Sequence, residues 1–346
     1  MDESKKPRIG FIGQGWIGKN YANDFEARGF LPVRYSLEEP YIRNKDAIRE
    51  CDIVFIAVPT PTTPEGFDPS IVEQALKLVG SGKVAVLKST IVPGTTKRLQ
   101  KENPGITILY APEFLSEATA AQDAAHPFSN IMGLPVDDVA HRLAAAQVLA
   151  VLPEAPFTRI CSSTEAELIK YSHNISGYVQ IVTFNLLYDF AKKNGADWEP
   201  IQKAIEADPY VPNRYARPMH KSGRGAGGGC FIKDFAAFRA LYEQHAPRDV
   251  WGKGVLTALE QKNIELLRES GKDHHLLTGV YGPAALRSSE TALPAPLFWH
   301  SRPARYVQMG ILVAGLLIVL MGSLDISMRL AKSFAGEQAS ATLVAR

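Results

Sequence analysis

Cysteine is scarce in this sequence, and no stretch carries a long block of charge of one sign. The 346 residues include three cysteines, Cys51, Cys161 and Cys230, with no CxxC pair and no cluster of histidines at ligand spacing. A disulfide framework and a metal site are therefore not expected. The net charge of +2 comes without a basic run, so nothing in the sequence indicates nucleic-acid binding.

The N-terminus lacks the apolar run of a signal peptide, since it reads Met-Asp-Glu-Ser-Lys-Lys. We therefore expect the first part of the chain to face a reducing cytoplasm, where a free thiol persists. The length suggests two domains, and the hydrophobic fraction of 46% and the charged fraction of 21% are ordinary for globular proteins.

A dinucleotide-binding fingerprint opens the chain. Gly13-x-Gly15-x-x-Gly18 lies between a short apolar strand and a helical pattern that runs to Arg28. Gly13 permits the tight turn, Gly15 lets a pyrophosphate approach the backbone, and Gly18 lets the helix pack on the sheet. With Trp16 and Ile17 at the helix start, these residues are predicted to bind the cofactor.

The end of the second predicted strand leaves the choice of cofactor open. An NAD site commonly has Asp or Glu at this point to bind the ribose hydroxyls. This sequence offers Ser36, with Arg34 before it and Glu38 after it. Ser36 and Arg34 are compatible with the 2′-phosphate of NADP. We favour NAD, with Glu38 as a substitute ligand.

Strand and helix patterns alternate through residues 1–162, which predicts an α/β fold with a doubly wound parallel sheet of the Rossmann type. Three predicted strands end in polar or turn-forming segments, at 58–62, 88–94 and 111–117. Ligands bind at the carboxyl ends of strands in such sheets. Glu113 and Glu117 are therefore both expected to face a crevice there.

From residue 163 the patterns are helical, and residues 163–282 are predicted to form an all-α central domain. Its later helices are predicted at Trp198–Ala207, Phe235–Gln244 and Trp251–Ser270. Thr164-Glu-Ala-Glu167 fits a capping box at the start of a helix that runs to Lys193. Lys170 and Asn174 are four residues apart and share a face, so they can address one ligand. His173 points away from that face and is interpreted as structural.

A glycine-rich segment, Gly223–Asp234, precedes the third group of candidate residues. It places Cys230 three residues before Lys233 and four residues before Asp234. A cation and a carboxylate this close to a thiol are typical of a nucleophilic cysteine. A flexible loop that ends in a buried cysteine and a capped helix explains this segment equally well when it is taken alone.

Six motifs in order make residues 7–282 resemble the UDP-glucose/GDP-mannose dehydrogenase family. They are Gly13-Gln-Gly-Trp-Ile-Gly18, Val58-Pro-Thr-Pro61, Ser89-Thr-Ile-Val-Pro-Gly-Thr95, Pro112-Glu-Phe-Leu-Ser-Glu117, Glu167-Leu-Ile-Lys-Tyr-Ser-His-Asn174 and Gly227-Gly-Gly-Cys-Phe-Ile-Lys-Asp234. The resemblance implies an NAD-dependent, four-electron oxidation of a nucleotide sugar, with UDP-glucose as the expected substrate. Its primary alcohol becomes a carboxylate through intermediates attached to a cysteine.

The resemblance also implies roles for individual residues. Cys230 is the implied nucleophile, and Lys170 and Asn174 are implied to stabilise oxyanions. Asp234 is implied to position water and Glu113 to act as the general base of thioester hydrolysis. Thr90 is implied to hold water and substrate. The implied substrate-binding residues are Phe114, Leu115, Glu117, Lys170, Asn174, Gly227 and Lys233. The implied cofactor-binding residues are Gly13, Gly15, Trp16, Ile17, Gly18, Ser36, Pro59, Thr60 and Thr90. A homodimer through the central helix is also expected.

Besides Ser36 at the end of the second strand, the sequence departs from the family in three ways. Ile232 replaces the usual proline of the Cys-Phe-Pro-Lys-Asp segment, and Ala226 replaces a common phenylalanine. The third, UDP-binding domain of the family is not seen, because no βαβ alternation follows residue 282. A Pro-rich linker (283–305), an uncharged segment (306–324) and a tail (325–346) follow instead. The length of the uncharged segment predicts a transmembrane helix that tethers a cytoplasmic enzyme to the membrane.

Two other functions remain open from the sequence. One is a two-electron hydroxyacid dehydrogenase with a related Rossmann-plus-helical architecture, although such an enzyme has no need for Cys230. The other is a catalytically weak, membrane-anchored binding protein. The complete set of polar site residues favours an active enzyme over this second alternative.

Overall fold

The structure is a computed structural model that describes residues 6–287. The predicted transmembrane helix (306–324), the tail and most of the predicted linker lie outside the described residues. The strands are β1 Ile9–Ile12, β2 Val33–Tyr35, β3 Ile53–Ile56, β4 Thr62–Thr63, β5 Gly66–Phe67, β6 Val84–Leu87, β7 Thr107–Tyr110, β8 Ser129–Leu134 and β9 Phe157–Ser162. The helices are α1 Trp16–Ala27, α2 Lys45–Ile48, α3 Ser70–Leu76, α4 Thr95–Glu102, α5 Ala120–Ala125, α6 Val139–Val151, α7 Ser163–Lys193, α8 Trp198–Ala207, α9 Gly228–His245, α10 Val250–Glu269 and α11 His274–Tyr281.

Seven strands form one sheet in the order β2-β1-β3-β6-β7-β8-β9. The pairs from β2 to β7 are parallel, which confirms the predicted Rossmann-type sheet. The far edge differs, because β8 runs antiparallel to β7 and β9 pairs in parallel with β8. The edge strand β9 was not predicted, since its first residues are exposed and it has no buried apolar run.

The central strands are buried on both faces, which explains their nearly continuous apolar sequences. One face packs against α1 and α6, where the ring of Phe11 stacks on Phe55 with centroids 5.0 Å apart and meets the edge of Phe25 at 5.3 Å. The other face packs against α3 and α4 through Val72 and Leu99. This double-sided core fixes the carboxyl ends of the strands along one edge.

Helix α7 joins the sheet to the helical domain. It starts at Ser163, and its N-cap is Ser162, whose side chain forms a capping box with Glu165. The predicted capping box of Thr164 and Glu167 is therefore wrong. The start of α7 packs closely on β8, because a Cβ atom on Gly133 would lie 2.7 Å from the Ala166 side chain and 2.8 Å from the Cα of Ser163.

Helices α7 to α11 form the predicted all-α domain. The ring of Tyr178 on α7 stacks on Phe235 of α9 with centroids 3.8 Å apart. Helix α9 begins at Gly228, seven residues before the predicted start at Phe235, so the candidate nucleophile lies in its first turn. The predicted linker begins with a short 3-10 helix, Pro283–Leu286, and its Ala285 packs on the apolar cluster of α9, α10 and α11.

No helix within residues 6–287 is both long enough and apolar enough to cross a membrane. The predicted transmembrane segment lies beyond this range and stays a prediction from the sequence.

Candidate active site

One face of α7 connects three separate parts of the molecule. Glu167, Lys170 and Asn174 are spaced by three and four residues, so their side chains leave the helix on the same side. Glu167 contacts the start of α4, Lys170 contacts Glu113 after β7, and Asn174 contacts Asp234 on α9. All three α7 side chains are buried.

Lys170 and Glu113 form a buried ion pair. The Lys170 ammonium donates to the Glu113 carbonyl oxygen at 2.7 Å and to Oε1 at 2.9 Å, while the Leu115 N–H donates to Oε2 at 2.9 Å. Burial disfavours both charges, but the ion pair, its hydrogen bonds and the neighbouring charges together outweigh this effect. The pKa of Lys170 is therefore raised and the pKa of Glu113 is lowered. Both groups are charged at neutral pH.

Asp234 lies between an amide and an ammonium group. The Asn174 Nδ2 donates to Oδ2 at 2.6 Å, and Lys233 donates to Oδ1. The Asp234 side chain is 1% exposed, so this carboxylate is held with little access to bulk water. The structure thus brings together four of the predicted site residues, Lys170, Asn174, Lys233 and Asp234.

Cys230 is the third residue of α9 and is exposed. Although part of the residue surface is exposed, the protein atoms packed around the sulfur raise the pKa of the thiol, and the Asp234 carboxylate raises it further, whereas Lys170 and Lys233 oppose this shift. The same charges that surround the α7 face therefore act on the sulfur. The thiol is protonated at neutral pH, so its reaction as a nucleophile needs an acceptor for its proton.

The glycine-rich segment before Cys230 is fixed by side chains of α10 and the turn after it. The Asn263 amide accepts from the Ala226 N–H at 2.6 Å and donates to the Ala226 carbonyl at 3.0 Å. Lys272 donates to the Gly225 carbonyl at 3.0 Å, and the Gly228 N–H donates to Asp273 at 2.7 Å. These contacts describe a positioned segment, which disagrees with the alternative of a flexible loop.

Glycine is required at two points of this segment. Gly228 has a φ of +78°, a left-handed conformation that most residues avoid. A Cβ atom on Gly227 would lie 2.1 Å from a carboxylate oxygen of Asp273. The first turn of α9 can therefore reach its position only with glycines here.

The dinucleotide fingerprint has the geometry that a cofactor needs. Gly13 has a φ of +93°, and a Cβ atom on Gly18 would lie 1.9 Å from the Gly13 carbonyl oxygen. A Cβ atom on Gly15 would meet no atom within 4 Å, so a pyrophosphate has room to approach the backbone. Gly15 is the N-cap of α1 and gives no side-chain cap, which leaves N–H groups for an anion. Trp16 is exposed and Ile17 is partly buried beside this turn.

The ribose side of the fingerprint favours NAD over NADP. Arg34 is buried, with its guanidinium 2.7 Å from the Glu26 carboxylate and its NH1 donating to Asn23 at 2.8 Å. The guanidinium of Arg34 is therefore already paired within the protein. The Ser36 hydroxyl donates to the Glu38 carbonyl at 3.1 Å, and Glu38 is exposed.

Two loops at the carboxyl edge are tied together. The Thr60 hydroxyl donates to the Thr90 carbonyl at 2.7 Å, and the Ser89 hydroxyl donates to the Val58 carbonyl at 2.7 Å. The predicted cofactor residues Pro59, Thr60 and Thr90 thus lie in one connected region.

Phe114 and Leu115 border a pocket of about 190 Å³, whose walls also include Tyr21, Lys88 and Asn130. The Phe114 ring meets the edge of the His173 ring at 5.2 Å. Burial, reinforced by Lys170, lowers the pKa of His173 to about 4, so this imidazole is neutral. The lining of this pocket does not include Cys230 or Asp234.

Glu117 does not share the environment of Glu113. Its side chain is exposed and forms an ion pair with Lys221. The nearest atom to a Cβ placed on Gly228 is a Glu117 carboxylate oxygen, at 3.8 Å. Glu117 is thus near the glycine-rich segment, whereas Glu113 is buried beneath α7.

Three buried polar groups near this site are absent from the predicted site residues: Glu167, Lys88 and Asn263. Glu167 was interpreted as a helix cap, although its spacing to Lys170 and Asn174 places it on their face. Lys88 directly precedes the Ser-Thr motif after β6, and its ammonium lies over the Tyr21 ring at 4.2 Å. No local pattern identifies Asn263.

A Rossmann domain with this fingerprint, joined to a helical domain that places Cys230, Lys170 and Asp234 together, defines the class of dinucleotide-binding dehydrogenases. The comparisons narrow this class. The chain matches the UDP-glucose/GDP-mannose dehydrogenase family in its NAD binding domain over residues 40–147 and in its central domain over residues 164–258. The chain belongs to this family. The first match identifies NAD as the cofactor.

Similar proteins carry related names. The chain is 31% identical over 278 residues to the UDP-glucose 6-dehydrogenase AglM of Haloferax volcanii, which covers 71% of this chain and 63% of that protein. It is 31% identical over 215 residues to a UDP-glucose 6-dehydrogenase of Rhizobium meliloti, covering 58% of this chain and 48% of the relative. The structure of a UDP-glucose dehydrogenase from Pyrobaculum islandicum superposes with a TM-score of 0.64 at 25% identity, covering 78% of this chain and 72% of the other.

The matches leave part of each relative without a counterpart. This chain spans between 47% and 63% of the first three curated relatives. Their activity as whole proteins is therefore applied to this chain only as a proposal.

Proposed function

We propose that this protein is an NAD-dependent dehydrogenase that oxidises the primary alcohol of a nucleotide sugar to a carboxylate, with UDP-glucose as the first substrate to test. The proposal is carried by one observation. The first turn of α9 places the Cys230 thiol four residues before Asp234, whose carboxylate accepts a hydrogen bond from Asn174 at 2.6 Å on the same face of α7 that carries the Lys170–Glu113 pair. A four-electron oxidation needs such a thiol, because the intermediate aldehyde has to be held between two oxidations.

In this proposal, Lys170 and Asn174 bind the sugar oxygen at the reacting carbon. The Lys170 ammonium remains charged because of Glu113, so it stabilises an oxyanion on that oxygen. Asn174 presents an amide whose orientation is fixed by its hydrogen bond to Asp234. When bound, NAD accepts the hydride in each oxidation.

The Cys230 sulfur attacks the aldehyde carbon while the thiol proton passes to the aldehyde oxygen, and a thiohemiacetal forms between the sulfur and the sugar. Oxidation of this species gives a thioester, and water then displaces the sulfur to release the carboxylate. Asp234 positions the water, and Glu113 accepts a proton from it as general base. Thr90, on the segment tied to Thr60, holds water and substrate at the same edge of the sheet.

The substrate contacts are assigned from the resemblance to the family, and the positions of these residues are compatible with the assignment. Phe114 and Leu115 lie against the pocket beside Glu113, and we assign them to the sugar nucleotide with Gly227 and Lys233. Glu117 contributes from the exposed side, next to Gly228. The fingerprint glycines, Trp16, Ile17, Ser36, Pro59 and Thr60 are assigned to NAD.

The experiment is to supply purified protein with UDP-glucose and other nucleotide sugars and to count NADH formed per sugar consumed. We expect two NADH per sugar, and loss of the uronate product in Cys230→Ala. One NADH per substrate, unaffected by Cys230→Ala, would instead support the two-electron alternative. No turnover with any nucleotide sugar would favour a binding protein.

A homodimer is also proposed. Leu168, Leu186, Leu187 and Phe190 are exposed apolar side chains on α7. Exposed apolar side chains grouped near the end of a helix, as Leu186, Leu187 and Phe190 are, are typical of a protein interface. We expect light scattering to give a dimeric mass that Phe190→Glu reduces, whereas a monomeric wild-type protein would rule this out.

Membrane attachment through residues 306–324 is proposed from their uncharged sequence alone. The matched comparison is the full chain against a version that ends at Arg287, because Ala285 still packs on the described core. We expect the full chain in the membrane fraction and the shorter version in the supernatant. Equal fractionation of the two would contradict the tether.

A further inference from the structure

Glu167 is a buried carboxylate with an uncommon set of partners. It is 0% exposed, and no lysine or arginine within residues 6–287 forms an ion pair with it. Its oxygens accept three hydrogen bonds: from the Gly94 N–H at 2.6 Å, the Thr96 N–H at 2.9 Å and the Thr96 hydroxyl at 2.6 Å. Removing a carboxylate from water costs free energy, and the hydrogen bonds to its oxygens offset that cost.

These three donors surround the N-terminus of α4. Gly94 is the N-cap of this helix and has a φ of +93°, and its own segment provides no side-chain cap. Glu167 therefore caps α4 from a different helix, more than seventy residues later in the chain. The negative carboxylate also complements the positive end of the helix dipole.

The capped residue ends the segment that carries Thr90. This segment, Ser89–Gly94, is fixed at its first end by the Thr60 hydroxyl on the Thr90 carbonyl and by Ser89 on the Val58 backbone. Ile91 is fully buried within it. Glu167 fixes its other end, and only one helical turn separates Glu167 from Lys170.

We propose that Glu167 is a positioning residue, which holds the Ser89–Gly94 segment, and with it Thr90, in register with Lys170 and Asn174. The catalytic part of this inference rests on the proposed function. The same rigid face of α7 that carries Lys170 and Asn174 thereby sets the position of a loop from the cofactor-binding domain. Glu167 itself contacts neither substrate nor cofactor in this proposal.

The test compares Glu167→Gln with Glu165→Gln. Glu165 is the matched control because it is a carboxylate two residues earlier on α7, where it closes the exposed capping box with Ser162. Glutamine at 167 keeps one acceptor oxygen and turns an NH2 group toward an N–H donor. We expect amide hydrogen exchange at Gly94 and Thr96 to accelerate about tenfold or more in Glu167→Gln, with no such change in Glu165→Gln.

Activity gives the second readout. We expect kcat to fall about tenfold in Glu167→Gln while KM for NAD and for the sugar changes less than twofold. Thr96→Val removes one hydrogen-bond donor to Glu167 and should lower kcat by a smaller factor, whereas Thr96→Ser keeps the donor and should retain the wild-type kcat. These two variants provide the test if Glu167→Gln folds poorly. Unchanged exchange at Gly94 and Thr96 would overturn the inference, as would faster exchange with an unchanged kcat.

The two proposals fail in different ways. If wild-type protein oxidises no nucleotide sugar, the proposed function fails, while the exchange comparison still decides whether Glu167 fixes this segment. If wild-type protein is active and the variants differ in neither readout, the role of Glu167 fails alone.

Discussion

At the scale of single residues, the site depends on charges that control one another. Glu113 keeps Lys170 charged, and Lys233 and Asn174 hold the Asp234 carboxylate in place. The charges of these groups together change the pKa of the Cys230 thiol. The raised pKa of the thiol means that the resting protein holds Cys230 mainly in its less reactive, protonated form.

The charge on Asp234 should control the reactivity of Cys230. Because the carboxylate raises the pKa of the thiol, Asp234→Asn lowers it and increases the thiolate fraction at pH 7.5. We expect iodoacetamide to modify Cys230 about three to ten times faster in this variant, as one pKa unit corresponds to a tenfold change. Peptide mass spectrometry separates Cys230 from Cys51 and Cys161. Lys233→Met should slow the reaction, and a slower reaction in Asp234→Asn would contradict the account.

Lys88 should make stability depend on pH. Burial lowers the pKa of this ammonium from 10.5 to about 8, and the side chain is 3% exposed. Between those values the unfolded chain binds a proton that the folded chain lacks, so wild-type stability should rise with pH relative to Lys88→Met. We expect a change of about 2 kcal/mol between pH 7 and pH 10 in urea unfolding. Lys101 is exposed, so the stability difference between wild type and Lys101→Met should not change with pH. The same pH dependence of this difference for both variants would contradict the prediction.

At the scale of elements, the predictable features are those with local causes. The glycine fingerprint and the strand–helix alternation led to the correct sheet between β2 and β7, since backbone geometry and periodicity impose them. The start of α9 was missed because glycine is a poor helix former, and only the Asp273 side chain shows why the helix begins at Gly228.

The error at the start of α7 has a similar origin. Thr164–Glu167 and Ser162–Glu165 both fit the spacing of a capping box, and local sequence does not distinguish them. Glu167 accepts hydrogen bonds from Gly94 and Thr96, more than seventy residues earlier, and so does not cap its own helix. The Lys170–Glu113 pair was likewise not predictable as a contact, although both residues were selected as candidates.

The glycine-rich segment should depend on Asn263. Leucine at 263 would leave the N–H and the carbonyl of Ala226 buried without partners, at a cost of about 1–3 kcal/mol for each group. We expect Asn263→Leu to lower the melting temperature and to alter the rate of Cys230 alkylation. Asn263→Asp keeps the acceptor for the Ala226 N–H and should lie between wild type and leucine. Equal stability of all three proteins would show that the amide does not hold this segment.

At the scale of the whole molecule, the described residues join two domains through one helix. Helix α7 packs on β8 at its start, caps α4, binds Glu113 and meets α9, so the cofactor edge and the Cys230 turn share one support. Because the proposed catalytic groups of both domains meet on this helix, the proposed chemistry at Cys230 and cofactor binding at the fingerprint are expected to be coupled through it.

The most direct test of the central claim is to detect the sugar on Cys230 itself. Acid-quenched reactions with UDP-glucose and NAD should be analysed by peptide mass spectrometry in wild type, Glu113→Gln and Cys230→Ala. The account predicts a hydroxylamine-sensitive acyl adduct on the Cys230 peptide, more abundant in Glu113→Gln because thioester hydrolysis is slowed, and absent in Cys230→Ala. Formation of the uronate at the wild-type rate by Cys230→Ala, with no adduct on Cys230 in any protein, would contradict it.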